Sequence, residues 1–109
     1  MAVQIIPLRQ KNNYSFSVTL DINNTQQTLF FRQLFNSVTG YWTIDISNSD
    51  KMLISSLPLI PNAGNLIKQY NYMRIGSAWL IPIGDNVTFP AWDDIETGWV
   101  LLWGDNYDG

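Results

Sequence analysis

Between residues 14 and 22 the chain alternates apolar and polar side chains without interruption. A period of two is typical of a β-strand with one face on a core and the other in water. The apolar positions are Tyr14, Phe16, Val18, Leu20 and Ile22, and the polar positions are Ser15, Ser17, Thr19 and Asp21. We therefore expect a regular, half-buried strand here.

Further segments predict more strands, separated by polar turns. Asn23 and Asn24 tolerate a left-handed backbone, so segments 14–22 and 26–35 should form a hairpin. Segment 26–35 carries apolar side chains on both faces, and we expect it to be covered on both sides. Proline removes a ladder donor, so segment 52–60, which contains Pro58, should be an edge strand or an extended segment. The remaining strand candidates are 41–47, 72–83 and 98–103.

The helical signal is confined to residues 62–70, where Leu66, Ile67 and Tyr70 fit one or two turns. Six or seven short strands with frequent turns predict an all-β fold, a small antiparallel sandwich or barrel with one short helical turn. We divide the chain into an N-terminal arm or first edge strand (1–12), a β domain (13–104) and an acidic tail (105–109).

Composition narrows the function. A chain of 109 residues, 46% hydrophobic, supports one domain with one core. It has no His and no Cys, which excludes disulfides, thiolate zinc sites, cysteine nucleophiles and His-dependent triads. Six Lys and Arg against nine Asp and Glu give a net charge of −3, so we expect neither nucleic acid nor an anionic membrane as a partner.

Charged residues make up only 14% of the chain, below the roughly 25% of an average soluble domain. Such a surface repels itself weakly and suits stable assembly with partners that cover the strand edges. No apolar run reaches the length of a membrane helix, and the first residues lack the basic region of a signal peptide. We expect folding in a cytoplasm.

The acidic cluster Asp93, Asp94 and Glu96 is the main candidate for chemistry. It could bind a divalent cation or supply a carboxylate pair, but its spacing does not match a calcium-binding loop. We favour a solvated loop. A Ser nucleophile would need a Lys base, and the sequence has no Ser-x-x-Lys motif. We expect no enzymatic activity, no metal and no cofactor.

The five Trp residues divide into two groups. Trp42, Trp79 and Trp99 lie within strand patterns and should belong to the core. Trp92 lies in the acidic loop and Trp103 near the chain end, where either could anchor a protein interface. A coplanar set of exposed rings would instead favour a small carbohydrate-binding β-sandwich, which is the alternative function.

Several segments, in order along the chain, resemble the plug (or ripcord) domain family of contractile-tailed bacteriophage baseplates. The most telling are an aromatic-Trp-x-Ile-Asp-Ile strand at 41–46 and a Leu-x-x-x-Leu-Pro-Leu segment at 53–59 that leads to Leu-Ile-x-x-Tyr at 66–70. Other matching segments are 14–20, 75–83 and 98–103. One departure is Lys51, where the resemblance leads us to expect a turn Gly.

The resemblance implies a virion structural protein of the tail baseplate, assembled in the host cytoplasm. Its partners would be hub, tube or sheath-initiator subunits and symmetric copies of itself, and the family offers no catalytic residues. We expect edges and loops to form the contacts. The candidate interface residues are Val3, Ile5, Ile6 and Leu8 in the arm, with Trp92 and Trp103.

Overall fold

The computed structural model describes residues 3–61, 64–85, 88 and 90–105. In these residues seven antiparallel strands form two sheets: a three-stranded sheet of order β1-β7-β6 and a four-stranded sheet of order β2-β3-β4-β5. The strands are β1 (Gln4–Ile6), β2 (Tyr14–Ile22), β3 (Thr25–Asn36), β4 (Tyr41–Ser47), β5 (Met52–Pro58), β6 (Ser77–Pro82) and β7 (Trp99–Gly104). Neither sheet closes on itself in the described residues, so the fold is sandwich-like and the predicted all-β class is confirmed.

The predicted hairpin is formed by β2 and β3. Ile22 pairs with Thr25, which leaves a two-residue turn of Asn23 and Asn24. Both Asn residues have positive φ, 52° and 65°. This backbone matches the twist of the flanking strands, and Asn adopts it at low cost.

The core lies between the two sheets and is built from the inward positions of every strand. Its largest fully buried side chains are Trp42, Trp103, Phe31, Ile6, Leu20, Ile22, Leu29, Ile44, Ile46, Ile67, Ile95 and Leu101. Phe31 and Trp103 meet edge to face, with ring centroids 5.5 Å apart, and so join the four-stranded sheet to the three-stranded one.

The expectation that segment 26–35 is covered on both faces is wrong. Leu29 and Phe31 are buried on the inner face of β3, but Phe30 on the outer face is 42% exposed. Arg32, also on the outer face, is exposed. In the β3–β4 register it lies directly opposite Asp45. These polar neighbours keep the outer face of the four-stranded sheet in water.

The helical turn lies further along the chain than predicted, as a kinked 3-10 helix at Lys68–Met73. The side-chain oxygen of Asn65 accepts hydrogen bonds from the backbone N–H groups of Ile67 and Ala78, and Leu66 N donates to Ala78 O. Because these bonds tie residues 65–67 to β6, they delay the helix. Residues 62 and 63 of the predicted helix lie outside the described residues.

The helix also delays the strand expected from residue 72, which begins only at Ser77. Arg74 ends the helix in a left-handed conformation, with φ 56°, and Gly76 follows with φ 106°. In the described part of the chain, no helix has the length and apolar character needed to cross a membrane.

The proline of segment 52–60 has the predicted effect. β5 ends at Pro58 and lies at the edge of the four-stranded sheet. Its pairing with β4 is irregular in two places, and Ser56 has a positive φ of 56°. The carboxylate of Asp45 accepts a hydrogen bond from Ser56 N and so holds this bulge in place.

Candidate interaction surfaces

The outer face of the three-stranded sheet is apolar. Ile5 on β1 pairs with Leu102 on β7, and Leu102 pairs with Trp79 on β6, so the three side chains form one row across the sheet. Ile81 and Val100 form the next row. Alternation along the chain places Val3 on the same side as Ile5. We call these six residues the apolar sheet face: Val3, Ile5, Trp79, Ile81, Val100 and Leu102.

Much of this face is open to solvent. Ile5 is 66% exposed, Val3 is 54% exposed and Ile81 is 41% exposed, whereas Trp79, Val100 and Leu102 are half-buried. No charged residue belongs to the face. An exposed, contiguous apolar face of this kind is a candidate contact surface.

The outer face of the four-stranded sheet is the internal comparison. It presents mainly hydroxyl and charged side chains, although Phe30 and Met52 are exposed apolar members and Leu34 and Tyr41 also lie on this side. Its polar members are Ser15, Ser17, Thr19, Thr28, Arg32, Asp45 and Ser47. One sheet therefore follows the inward-apolar, outward-polar pattern of a solvated sandwich, and the other does not.

Both faces of β6 and β7 are apolar because their sequences do not alternate. On the inner side, Leu80 and Leu101 are paired and buried, and Trp103 lies directly opposite Ala78. Sequence reasoning treated Trp79 as core and missed Ile81, Val100 and Leu102. The signal was present in the continuous runs 78–83 and 99–103, a pattern typical of strands covered on both faces.

The N-terminal segment, predicted as an interface arm, is divided between core and surface. Ile6 and Leu8 are buried and belong to the core, whereas Val3 and Ile5 face outward. Gln33 is fully buried and fastens this segment: its side chain accepts from Arg9 N at 2.9 Å and donates to Arg9 O at 2.6 Å. Val3 and Ile5 are thus presented on a fixed strand.

The two Trp residues predicted as interface candidates occupy different environments. Trp103 is only 1% exposed, and its indole N–H donates to Ile75 O at 2.7 Å. The Trp103 side chain is therefore part of the core. Trp92 is 40% exposed and stacks on Trp42, with nearly parallel rings whose centroids are 5.3 Å apart. Trp92 remains a candidate for contact.

The loop that carries Trp92 is held to the sandwich at several points. Trp42 Nε1 donates to Ala91 O at 2.9 Å, and the Ile95 side chain is fully buried. Asp94 Oδ1 accepts from Ala91 N at 2.7 Å, and Asp94 O accepts from Gly98 N at 2.7 Å. These contacts order the loop and fix the position of Trp92.

The acidic trio has structural partners. Besides the bond from Ala91 N to Asp94, Glu96 accepts from Gln10 N at 3.1 Å and forms an ion pair with Arg9 at 3.7 Å. No group of three or more potential metal-ligating side chains occurs among the residues described. Asp94 therefore stabilises the loop, and Glu96 attaches the N-terminal segment to it.

Among the described residues, the stacked rings around Trp92 and Tyr14 pack inward and do not form the coplanar exposed platform of the carbohydrate-binding alternative. Trp92 is covered on one face by the buried Trp42, and Phe35 packs against it at 58° with a centroid distance of 5.3 Å. Tyr14 stacks on Phe16 at 5.5 Å, and Phe16 continues to Phe31 at 5.3 Å, which leads into the core. These rings are used for internal packing.

An open cleft of about 350 Å³ lies beside the end of β5. Its described lining residues are Tyr41, Pro58, Leu59, Ile60, Pro61 and Thr88. None of these side chains is a carboxylate or a cation. The cleft offers shape and apolar contact but no acid–base pair.

The turn at 48–51 differs from the expected Gly geometry. Lys51 is not among the described residues with positive φ. The side-chain oxygen of Asn48 instead accepts from Asp50 N at 2.8 Å and Lys51 N at 2.9 Å. Asn48 thereby forms the turn without a glycine, and the predicted departure at Lys51 costs no strain.

Comparison with known proteins identifies the family to which the chain belongs. A family model described as "Cyanophage baseplate Pam3 plug gp18" matches residues 3–106, nearly the whole chain. No curated protein matches it. The match confirms the resemblance recognised in the sequence, and it covers both sheets and the apolar sheet face. The chain belongs to this family of phage baseplate plug proteins.

Proposed function

We propose that this chain is a non-enzymatic structural component of a contractile phage tail baseplate that docks on neighbouring subunits through its apolar sheet face. One observation carries the proposal: a regular, uncharged face of a sheet lies on the solvent side of the sandwich. Burial of apolar surface is the main driving force for association. Membership of a baseplate plug family supports the setting.

The hub, tube or sheath initiator are the proposed partners, in a virion assembled in the host cytoplasm. Uncharged faces associate without the cost of desolvating ions, which suits a permanent interface. Ile5 on the edge strand β1 and Val3 just before it extend this face to the edge of the sheet. Trp92 supplies a second, aromatic contact on its own loop.

The test is incorporation into particles. Tails are assembled with Ile5→Asp or Ile81→Asp in place of the unmodified chain, and the amount of chain per tail is measured by quantitative mass spectrometry. A carboxylate buried in an apolar contact is strongly unfavourable, so we expect at least about a tenfold loss of the chain from tails.

The control is Val38→Asp, because Val38 is 93% exposed and lies in the turn between β3 and β4, away from the face. It should be incorporated normally. The isolated variants should remain folded: Val38→Asp should change stability by less than about 0.5 kcal/mol, and the two strand variants should cost about 1–2 kcal/mol, because Asp has low strand propensity and Ile81 is 41% exposed. Normal incorporation of both face variants would refute the proposal.

A further inference from the structure

The four edge strands of the sandwich are not equally protected. β5 is bulged and ends in Pro58, β1 has three residues and β6 ends in Pro82. β2 has nine residues that pair with β3 in unbroken register, and it contains no proline and no lysine or arginine. Long, regular edges without such features are templates for pairing with another strand.

The backbone of β2 presents free hydrogen-bonding groups on its outer side. Asp21 N donates to Gln4 Oε1 at 2.8 Å, so the N–H of Asp21 points away from β3. Because direction alternates along a strand, Ser15, Ser17 and Thr19 point the same way. No hydrogen bond crosses this edge to their backbone groups within the described residues.

The inward side of β2 is also incompletely covered. Leu20 and Ile22 are buried, whereas Tyr14, Phe16 and Val18 are only half-buried. These three apolar side chains lie toward the open end of the edge. A further strand beside β2 would both satisfy its backbone groups and cover them.

We infer that β2 pairs with β2 of a second copy of this chain, in antiparallel orientation about Val18. In that register the backbone groups of Ser17 meet those of Thr19 of the second copy, and Phe16 lies opposite its Leu20. The single charge, Asp21, lies opposite Ser15 of the second copy, so no like charges meet. The strand is thus complementary to itself in the backbone hydrogen bonds of Ser17 and Thr19, in apolar contacts and in charge, while Asp21 N keeps its bond to Gln4.

The resulting dimer has one continuous eight-stranded sheet and leaves the apolar sheet face open. The inference therefore concerns a different surface from the docking face, and it does not require that face. An isologous contact of this kind is the ordinary way in which two identical chains pair.

The test is self-association of the full chain, measured by sedimentation equilibrium from about 1 μM to about 1 mM. We expect a concentration-dependent dimer. Ser17→Pro removes the outward N–H of Ser17 but no bond to β3, so it should weaken dimerisation at least about tenfold. Ser17→Thr keeps the N–H group and is the matched control.

Two further variants guard against misfolding and test the register. If Ser17→Pro loses its strand circular dichroism, the double variant Ser17→Lys and Thr19→Lys is tested instead. Both side chains face water, and positions 17 and 19 of the two copies lie directly opposite each other, so the introduced lysines repel. Val18→Cys should form an intermolecular disulfide on oxidation, because non-hydrogen-bonded partners on antiparallel strands lie about 4.5 Å apart between Cα atoms. Phe16→Cys should not form one.

A chain that stays monomeric over the whole range overturns the inference. So does a dimer that survives both the proline and the lysine changes, which would indicate another contact surface. A disulfide from Phe16→Cys but not from Val18→Cys would refute the proposed register.

Discussion

Gln33 is the residue on which the attachment of the N-terminal segment depends. It is a polar side chain inside the core, and both its hydrogen bonds go to the backbone of Arg9. A buried amide is tolerated only when its donors and acceptors are satisfied. Arg9 in turn pairs with Glu96. One glutamine therefore links the exposed Val3 and Ile5, through a fixed backbone, to the centre of the four-stranded sheet.

Replacing Gln33 with methionine should lower the free energy of unfolding by about 1–3 kcal/mol, because Arg9 N and O lose two part-buried hydrogen bonds to a fully buried amide. Urea denaturation followed by tryptophan fluorescence measures the change. Gln26→Met on the same strand is the control, since Gln26 is exposed and should change stability by less than about 0.5 kcal/mol. Equal effects would show that Gln33 does not hold the segment.

Gly76 is a second residue that the fold requires, because its missing side chain lets the chain before β6 pack closely against Trp103. Its φ is 106°, and a Cβ at this position would lie 2.5 Å from Trp103 Nε1 and 2.6 Å from Gly104 O. Gly76→Ala should therefore destabilise the protein by about 3 kcal/mol, with a lower thermal midpoint.

Gly64→Ala provides the matched comparison. Gly64 also has a positive φ, 69°, but a Cβ there meets no described atom within 4 Å. Its cost should be about 1 kcal/mol, from the left-handed backbone alone. Similar losses for the two variants would contradict the claim that close packing on Trp103 requires glycine at position 76.

At the scale of single elements, asparagine sets two of the three turns of the four-stranded sheet, and the β3–β4 turn combines Asn36 with Gly40 at φ 79°. Asn23 and Asn24 take positive φ in the β2–β3 turn, and Asn48 closes the β4–β5 turn with its side chain. The side-chain oxygen of Asn65 likewise accepts backbone hydrogen bonds, from Ile67 N and from Ala78 N on β6. Asparagine serves at these places because its short amide can replace a backbone partner.

Asn48→Ala should reduce stability by about 1–2 kcal/mol through loss of the bonds from Asp50 N and Lys51 N. Lys51→Gly should give no gain, because Lys51 does not have positive φ, and it should cost up to about 1 kcal/mol of chain entropy. Ser49→Ala in the same turn is the control. Chemical denaturation of the four proteins checks the order, and a stabilising Lys51→Gly would contradict it.

The strands with clear alternation could be predicted from the sequence, because β2 and β4 have one solvated and one buried face. The helix position could not, because a long-range bond from Ala78 N to Asn65 overrides local periodicity. The apolar sheet face was also missed in most positions. In a continuous apolar run the sequence does not say which side chain faces the core, and only the pairing of Leu102 with Ile5 and Trp79 reveals the outer row.

For the whole molecule, the distribution of polarity matters more than the net charge of −3. The four-stranded sheet presents mainly polar side chains to water, whereas the outer face of the three-stranded sheet is apolar. An exposed apolar sheet face is unfavourable for a protein that stays monomeric, because it favours aggregation. It suits a subunit whose apolar face becomes buried against a neighbour on assembly. Family membership and surface chemistry thus support the same role from independent observations.

The most direct test of the central claim is a cryo-electron microscopy reconstruction of the tail baseplate of the phage that encodes this chain. The account predicts density for the chain at the baseplate, with Ile5, Trp79 and Ile81 in contact with a neighbouring subunit. Density for the chain in which this face is open to solvent, or a baseplate that contains no copy of the chain, would contradict it.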